Sequence, residues 1–307
     1  DGDLLWSAGK DSASPTTGMD YSIPARVKPL DTTGDGFIDR IYAADVGGQI
    51  FRFDIDNTNG SGLASSITGA VVINIADNTE EDTRRIYYPP DVAIVEDERG
   101  MRYNAIVFST GFRAHPLNEV VHDRIYMVKD YNTAPIDSGY ELVTEADLYD
   151  ATLNLAGGEA ASDAERDTEL SSIASADGWY ISLDDEANPG NWLGEKGLAE
   201  PLILEGVAIV TTYTPNMESS TGVSKCGPNP GLGKVFFLDL LDATAAFPSD
   251  VDSRSDRHIE LTRTGIPPSP NVIITEDGVP TMCVGTECDK TGMAIGARRT
   301  YWHEVEQ

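Results

Sequence analysis

A nine-residue segment near the start of the chain carries the residues best suited to bind a metal ion. Side chains with oxygen atoms stand at its positions 1, 3, 5 and 9: Asp31, Thr33, Asp35 and Asp39. A glycine occupies position 6, and Phe37 at position 7 would add its backbone carbonyl. Calcium takes about six to eight oxygen ligands, which EF-hand-like loops supply from alternate positions around a sharp glycine bend. The spacing therefore predicts a Ca²⁺ site at 31–39.

The residues that follow this segment do not match an EF-hand. An EF-hand has a bidentate glutamate at position 12, whereas Tyr42 stands there and already belongs to a strand-like run. The segment is more similar to the calcium loops of integrin-type propellers. Because Thr33 is a weaker ligand than a carboxylate, we expect micromolar to millimolar affinity, as in extracellular calcium modules. The alternative is an Asp/Gly-rich hairpin turn that binds no metal.

No other group of residues has the spacing of a catalytic or cofactor site. The histidines are scattered, which argues against a zinc site or a triad base: His115, His122, His258 and His303. The segments 7–9 and 109–111 lack the Gly-x-Ser-x-Gly nucleophile elbow of hydrolases. The sequence predicts no catalytic residue and no organic cofactor, so we do not expect an enzyme.

The charge of the chain limits its partners. Among 307 residues, 22 lysines and arginines face 51 aspartates and glutamates, a formal net charge of −29. Such a chain repels nucleic acid and anionic membranes, and cations are its natural small partners. A saline habitat explains the acidic excess equally well. There is no run of about 18 apolar residues, and residues 1–6 do not resemble a signal peptide, so we expect an export signal upstream.

The chain has three cysteines: Cys226, Cys283 and Cys288. An odd number allows at most one disulfide within the chain and leaves a thiol over. Cys283 and Cys288 enclose a tight loop that a disulfide could close in an oxidising compartment. A bridge from Cys226 is the alternative.

Short apolar runs bounded by glycine and aspartate recur along the chain and are typical of antiparallel β-structure. The clearest pair, 40–45 and 49–54, is joined by a Val46-Gly47-Gly48 turn and predicts a β-hairpin. Later runs share its pattern of an aromatic residue among aliphatic ones with a closing aspartate: 123–130, 178–184 and 233–239. Two near-continuous apolar runs suit strands covered on both faces: 105–111 and 207–213.

This recurrence predicts an all-β fold, a β-propeller of which the chain holds about four blades. Residues 1–307 would then be part of one domain with two insertions. Residues 144–177, rich in alanine and acids, predict a helix and loop insertion, and residues 214–230 predict a long loop. Four blades alone leave an open edge, which other residues or subunits would have to cover.

The segment 31–54, which joins the acidic loop to the hairpin, resembles the calcium-loop blade of PilY-family proteins. Phrases typical of that family's C-terminal domain follow in order: 109–118, 123–130, 178–183, 194–196, 211–215, 265–270 and 298–302. The resemblance implies the second half of a C-terminal β-propeller of quinoprotein-like type. The residues that it carries over as calcium ligands are Asp31, Thr33, Asp35, Phe37 and Asp39.

The resemblance also implies a function. Proteins of this family are exported, are associated with the pilus tip and the outer membrane, and act in type IV pilus biogenesis and adhesion. The expected roles are control of pilus extension against retraction, twitching motility and attachment to abiotic or cell surfaces. The expected partners are minor pilins of the tip complex, and the expected location is extracellular.

Two other functions are consistent with the same local features. A structural surface or filament protein could use calcium for stability alone, because a ligand of the folded state stabilises it by mass action. A quinoprotein-type dehydrogenase also combines a propeller with calcium, but it usually has an adjacent cysteine pair, and the three cysteines here are never adjacent. We therefore favour the pilus function.

Overall fold

The structure, a computed structural model, describes residues 4, 6–10, 16, 18–57, 67–77, 79–97, 99–136, 140–215, 230–247, 253–274 and 280–289. In this part of the chain there are 18 β-strands, one α-helix and two 3-10 helices, the latter at Glu145–Asp147 and Arg254–Arg257. The strands form four sheets that follow one another along the chain.

The first two sheets share one plan. Sheet 1 contains, in spatial order, β1 (Lys28–Leu30), β2 (Arg40–Ala44), β3 (Gln49–Ile55), β4 (Ile67–Asn74) and β8 (Val143–Thr144). Sheet 2 contains β5 (Asp91–Glu96), β6 (Arg102–Ser109), β7 (Arg124–Asp130), β10 (Gly178–Ser182) and β9 (Tyr149–Asp150). In each sheet four strands form an antiparallel meander and a two-residue fifth strand pairs in parallel at one edge. Since β8 follows β7 in sequence, the chain returns from sheet 2 to sheet 1.

The third and fourth sheets continue the pattern. Sheet 3 contains β11 (Lys196–Gly197), β12 (Leu202–Leu204), β13 (Val207–Thr214), β14 (Leu232–Asp239) and β15 (His258–Glu260), with both β11 and β12 paired to β13. Sheet 4 contains β16 (Pro270–Ile274), β17 (Pro280–Val284) and β18 (Glu287–Asp289). Their main strands are again antiparallel neighbours in sequence.

Each sheet has a proline in or just before the edge strand that opens its meander: Pro29, Pro90, Pro201 and Pro270. Proline lacks an N–H donor and is therefore tolerated at the start of a strand or on an edge strand. These four edge strands meet around one cavity of about 500 Å³. Side chains link them, since Lys28 of β1 lies 2.6 Å from Asp91 of β5, and Asp91 accepts a 2.6 Å hydrogen bond from the Ile203 N–H of β12. The sheets are therefore arranged about a common centre, as propeller blades are.

The core lies in the interfaces between successive sheets. Alternate residues of β6 point to opposite faces, so that Val107 packs in the interface of sheets 2 and 3 while Phe108 packs in that of sheets 1 and 2. On β13, Val210 faces sheet 2, whereas Ile209 packs with Val284 of sheet 4. Strands buried on both faces need apolar side chains at nearly every position, which explains the near-continuous runs in the sequence.

The remaining face of sheet 1 is covered by the N-terminal part of the chain. Phe51 and Phe53 of β3 pack there with Met19, and the Trp6 ring meets Phe53 edge-on at a centroid distance of 5.2 Å. The β2–β3 hairpin turns at 45–48, where the Asp45 carboxylate accepts hydrogen bonds from two backbone amides.

The single described α-helix, α1 (Asp163–Ser175), lies within the segment 144–177, together with β9 and a 3-10 helix. Ser162 caps its N-terminus by accepting a 3.2 Å hydrogen bond from the Glu165 N–H. In the part of the chain that the structure describes, no helix has the length and apolar character needed to span a membrane.

Several sequence-based predictions can be compared with this fold. The β2–β3 hairpin is confirmed, and so are the strands expected near 105–111, 123–130, 178–184, 207–213 and 233–239. The all-β propeller prediction is confirmed as well. The long loop expected at 214–230 lies outside the described residues at 216–229, as does the segment 298–302.

Candidate metal centre

The predicted calcium segment, 31–39, is the loop of a hairpin between β1 and β2. The strands are antiparallel with Leu30 opposite Arg40, so the loop begins and ends at the same place. The Asp39 N–H donates to the Leu30 carbonyl at 3.0 Å, and the Asp39 carbonyl accepts from the Ile55 N–H at 2.7 Å. Sheet 1 thus holds both ends of a loop whose tip is exposed.

Asp31 organises the first half of the loop. Its carboxylate accepts backbone hydrogen bonds from Thr33 at 3.2 Å, Gly34 at 2.6 Å and Gly36 at 2.8 Å. The backbone can wrap around one side chain in this way because Gly34 and Gly36 have φ of +77° and +88°, which L-residues with a side chain rarely adopt. Gly36 is the glycine at position 6 that the calcium-loop pattern requires.

Asp39 closes the loop from its other end. One carboxylate oxygen accepts hydrogen bonds from the Thr32 N–H at 2.8 Å and from the Thr33 N–H at 3.2 Å. The other accepts a 3.1 Å hydrogen bond from Asn57 Nδ2. Asp31 and Asp39 therefore both bind the same amide, that of Thr33, which brings two negative charges together at the centre of the loop.

The loop keeps both of these carboxylates ionised. Hydrogen bonds, above all from Gly36, hold the pKa of Asp31 below its ordinary value. Partial burial by itself raises the pKa of Asp39, but hydrogen bonds from Thr32, Asn57 and Thr33 outweigh it, and the net shift is downward. Two ionised carboxylates that share one donor form a site that attracts a cation.

The other predicted ligands are on the exposed tip. The Asp35 carboxylate accepts a 2.9 Å hydrogen bond from the Phe37 N–H, and the Thr33 hydroxyl donates to Asp31 at 3.3 Å. Phe37 is 64% exposed. Among the described residues, no group of three or more His, Cys, Asp or Glu side chains is gathered to hold a metal. The carboxylate, hydroxyl and carbonyl oxygens of the loop are of the donor type that calcium prefers.

A buried ionic network begins at the residue that follows the loop. Arg40 donates to Asp54 at 2.6 Å, and Arg52, which is fully buried, pairs with both Asp54 and Asp130 at 2.8 Å. Tyr42 also donates to Asp130 at 2.8 Å. Burial lowers the pKa of Arg52, but Asp130 and Asp54 more than offset this, so it stays charged. Because Asp130 ends β7, the network connects the loop strand of sheet 1 to sheet 2.

Sequence reasoning missed Asn57 and this network. Nothing in the spacing of 31–39 points to Asn57, which follows β3. The alternation of Phe51 and Phe53 with Arg52 and Asp54 was the available signal, because it puts a cation and an anion side by side on one face of β3.

The predicted cysteine positions lie in sheet 4. Cys283 of β17 is directly opposite Cys288 of β18, and the two form a disulfide with an S–S distance of 2.09 Å. Cys226, the third cysteine, lies outside the described residues. The bridge closes the hairpin between the last two strands.

Known proteins are similar to this chain in sequence and in fold. No family model matches the chain. Over 254 residues, or 80% of its length, it is 24% identical to a type IV pilus biogenesis factor PilY1 homolog of Xylella fastidiosa. It also superposes on the crystal structure of the Pseudomonas aeruginosa PilY1 C-terminal domain with a TM-score of 0.59, at 16% identity over 85% of the chain. The chain has the fold of the PilY1 C-terminal domain.

The resemblance to the PilY family is thus confirmed in sequence and in fold. The chain spans 16% of the length of the Xylella protein and 59% of the solved PilY1 domain. The PilY1 domain is a β-propeller, and the sheets described here, which do not close into a ring, correspond to part of one.

Proposed function

We propose that this chain is a calcium-binding part of a secreted, PilY1-type pilus factor and tip-associated adhesin, with no enzymatic role. The observation that carries the proposal is the 31–39 loop, in which Asp31 and Asp39 converge on one amide in a fold shared with PilY1. The proposed location is the cell surface, at the pilus tip and outer membrane. The proposed partners are minor pilins, and the proposed roles are pilus extension against retraction, twitching motility and surface attachment.

In this proposal the loop residues act together. The proposed ligands of Ca²⁺ are the side-chain oxygens of Asp31, Thr33, Asp35 and Asp39 and the backbone carbonyl of Phe37. The positive charge of Ca²⁺ offsets the negative charges that the loop brings together. Asn57 orients Asp39 from outside the loop. Arg40, which follows the loop in sequence, belongs to the buried ionic network. Calcium binding that orders the loop would therefore also affect the contact between sheets 1 and 2.

A second candidate is a calcium-stabilised surface or filament protein without a regulatory role. The observation that favours it is the same direct connection between the loop and the buried network, since stabilisation of the folded state alone would explain it. The two candidates make different predictions for pili and the same prediction for calcium binding.

The first test is calcium titration by calorimetry on the 307-residue chain. We expect one site in the wild type, weaker binding of magnesium, and loss of binding in Asp39→Ala because one converging carboxylate is removed. Asn57→Ala should weaken binding by several-fold while leaving the site intact. Glu80→Ala, which removes an exposed carboxylate elsewhere, is the matched control. Equal binding by Asp39→Ala and the wild type would contradict the calcium site.

The second test introduces Asp39→Ala into the full-length protein in its bacterium and compares piliation and twitching with the melting temperature of the purified chain. Loss of pili or twitching at an unchanged calcium-free melting temperature supports regulation. Normal piliation despite lost calcium binding leaves the structural role as the explanation.

A further inference from the structure

The disulfide of sheet 4 has one buried and one accessible half. Cys283 of β17 is only 4% exposed, whereas Cys288 of β18 is exposed. Cys288 also lines a groove of about 390 Å³ between the β14–β15 part of sheet 3 and the β17–β18 hairpin of sheet 4. A thiol in solution can therefore approach the disulfide from the Cys288 side. Exposed disulfides are reduced more readily than buried structural ones.

The strand that carries Cys288 is short. β18 has three residues, which pair with β17 at three positions, and the disulfide joins the central pair. A strand of this length adds little stability of its own, since even a complete two-stranded hairpin is marginal in water. The covalent bond between Cys283 and Cys288 is therefore a main restraint on the position of β18.

The residue next to Cys288 connects this strand to sheet 3. The Glu287 carboxylate accepts hydrogen bonds from the Thr262 N–H at 2.9 Å and the Arg263 N–H at 2.7 Å. These two amides follow β15, the last strand of sheet 3. Hydrogen bonds to an ionised acceptor are stronger than those between neutral groups. Because β18 positions Glu287, the disulfide and the contact between sheets 3 and 4 depend on each other.

The same hairpin covers an apolar contact. Met282 and Val284 of β17 pack against Val235 and Leu261 of sheet 3. All four side chains also line the groove, of which Glu287 and Cys288 form one wall. Movement of β18 away from β17 would therefore open the groove and expose apolar surface that the two sheets share.

We propose that the Cys283–Cys288 disulfide is a site of thiol–disulfide exchange with a dithiol reductant. A thiolate of the dithiol attacks Cys288 Sγ and forms a mixed disulfide with it. The bond between the two cysteines breaks, and its electron pair leaves on Cys283 Sγ, which takes up a proton. The second thiol of the reductant then displaces Cys288 as a thiol. The dithiol is oxidised to a disulfide, and the protein gains two thiols.

This exchange controls the contact between sheets 3 and 4. In the oxidised protein β18 is fixed and Glu287 holds the amides of Thr262 and Arg263. In the reduced protein β18 separates from β17, Glu287 releases these amides, and the groove opens. The site lies in sheet 4 and does not depend on calcium binding by the 31–39 loop of sheet 1.

The first test identifies the sulfur that is attacked. The folded 307-residue chain carries Cys226→Ser, so that every thiol counted comes from the pair. We expect no free thiol before treatment with dithiothreitol and two after it. Reduced glutathione, with iodoacetamide present to trap the released thiol, should be found on Cys288 and the alkyl group on Cys283 by mass spectrometry of peptides. Reduction that requires urea, or glutathione on Cys283, would overturn the proposal.

The second test measures amide hydrogen exchange by NMR in the oxidised and reduced protein. Exchange of the Thr262 and Arg263 amides should be about ten-fold faster after reduction, because they lose a charged acceptor. Oxidised Glu287→Ala should show the same fast exchange at these amides, with no further effect of reduction. The matched control is Glu80→Ala, at an exposed position elsewhere, which should respond to reduction as the wild type does.

Two results of this second test would contradict the proposal. One is equal exchange at 262 and 263 in the oxidised and reduced wild type. The other is acceleration of the β6 amides of sheet 2 to the same extent, which would show that reduction unfolds the whole chain.

Discussion

At the scale of single residues, the carboxylates of this acidic chain have different environments and therefore different roles. Asp31 and Asp39 are near the surface and bonded to amides, which keeps them ionised and available to a cation. Asp123, just before β7, is in the opposite situation. It is fully buried, and burial raises the pKa of its carboxyl to about 7 against the opposing charge of Lys196.

This difference predicts how stability depends on pH. The ordinary pKa of Asp123 is 3.8, so the folded state binds its proton more tightly than the unfolded chain does. Its contribution is therefore most favourable below about pH 4 and is lost as the pH rises to about 7. Asp123→Asn cannot ionise. We expect its unfolding free energy, relative to the wild type, to increase by up to about 4 kcal/mol over this range.

Urea denaturation of both proteins at intervals from about pH 4 to pH 8 measures this difference. Glu80→Gln, at an exposed position, controls for the general effect of losing one negative charge. Parallel pH profiles for Asp123→Asn and the wild type would show that Asp123 does not have a raised pKa.

At the scale of elements, α1 depends on a residue of the sheet beneath it. The carbonyls at the end of a helix have no partners within the helix and require donors from elsewhere. Lys129 of β7 provides them, donating to the carbonyls of Ile173 at 3.0 Å and Ala176 at 2.9 Å. The helix is therefore fixed to sheet 2 through its C-terminal end.

Lys129→Met should release that end of the helix. The hydrocarbon part of the side chain is kept, but buried carbonyls lose their donor, which we expect to cost about 1–3 kcal/mol. Hydrogen exchange of the amides in 163–175 should become faster than in the wild type. Lys10→Met, at an exposed lysine whose side chain is 67% accessible, should leave exchange unchanged, and slow exchange in Lys129→Met would contradict this role.

At the scale of the whole molecule, stability depends on the interfaces between sheets. The interface of sheets 1 and 2 combines apolar packing with the fully buried Arg52, which binds Asp54 of its own strand and Asp130 of the next sheet. Buried charges of this kind are tolerated only in pairs, because an unpaired buried charge is strongly destabilising.

Arg52→Met leaves the buried Asp130 without its arginine partner and leaves Asp54 with Arg40 alone. We expect it to destabilise the chain by about 3–5 kcal/mol, measured by chemical denaturation followed by tryptophan fluorescence. The control is Arg102→Met, since Arg102 is 73% exposed and its pair with Glu96 is long, at 3.5 Å; its effect should stay within about 0.5 kcal/mol. A similar loss in both variants would show that the network does not hold the sheets together.

Much of this architecture could be predicted locally. The β2–β3 hairpin follows from two alternating runs around Gly47 and Gly48, and the doubly covered strands follow from near-continuous apolar residues at 105–111 and 207–213. The prolines in or just before one edge strand of each sheet, such as Pro90 and Pro201, were a repeat signal in the sequence that the predictions did not use.

By itself, the sequence determined the strands, their turns and the 31–39 loop, because these depend on residues close together in the chain. Only the tertiary structure decided what depends on distant segments: the approach of Asn57 to Asp39 and the link from Arg52 to Asp130. The physical reason is that spacing along the chain sets backbone conformation and side-chain direction, whereas the partner of a buried polar group is set by which sheets pack together.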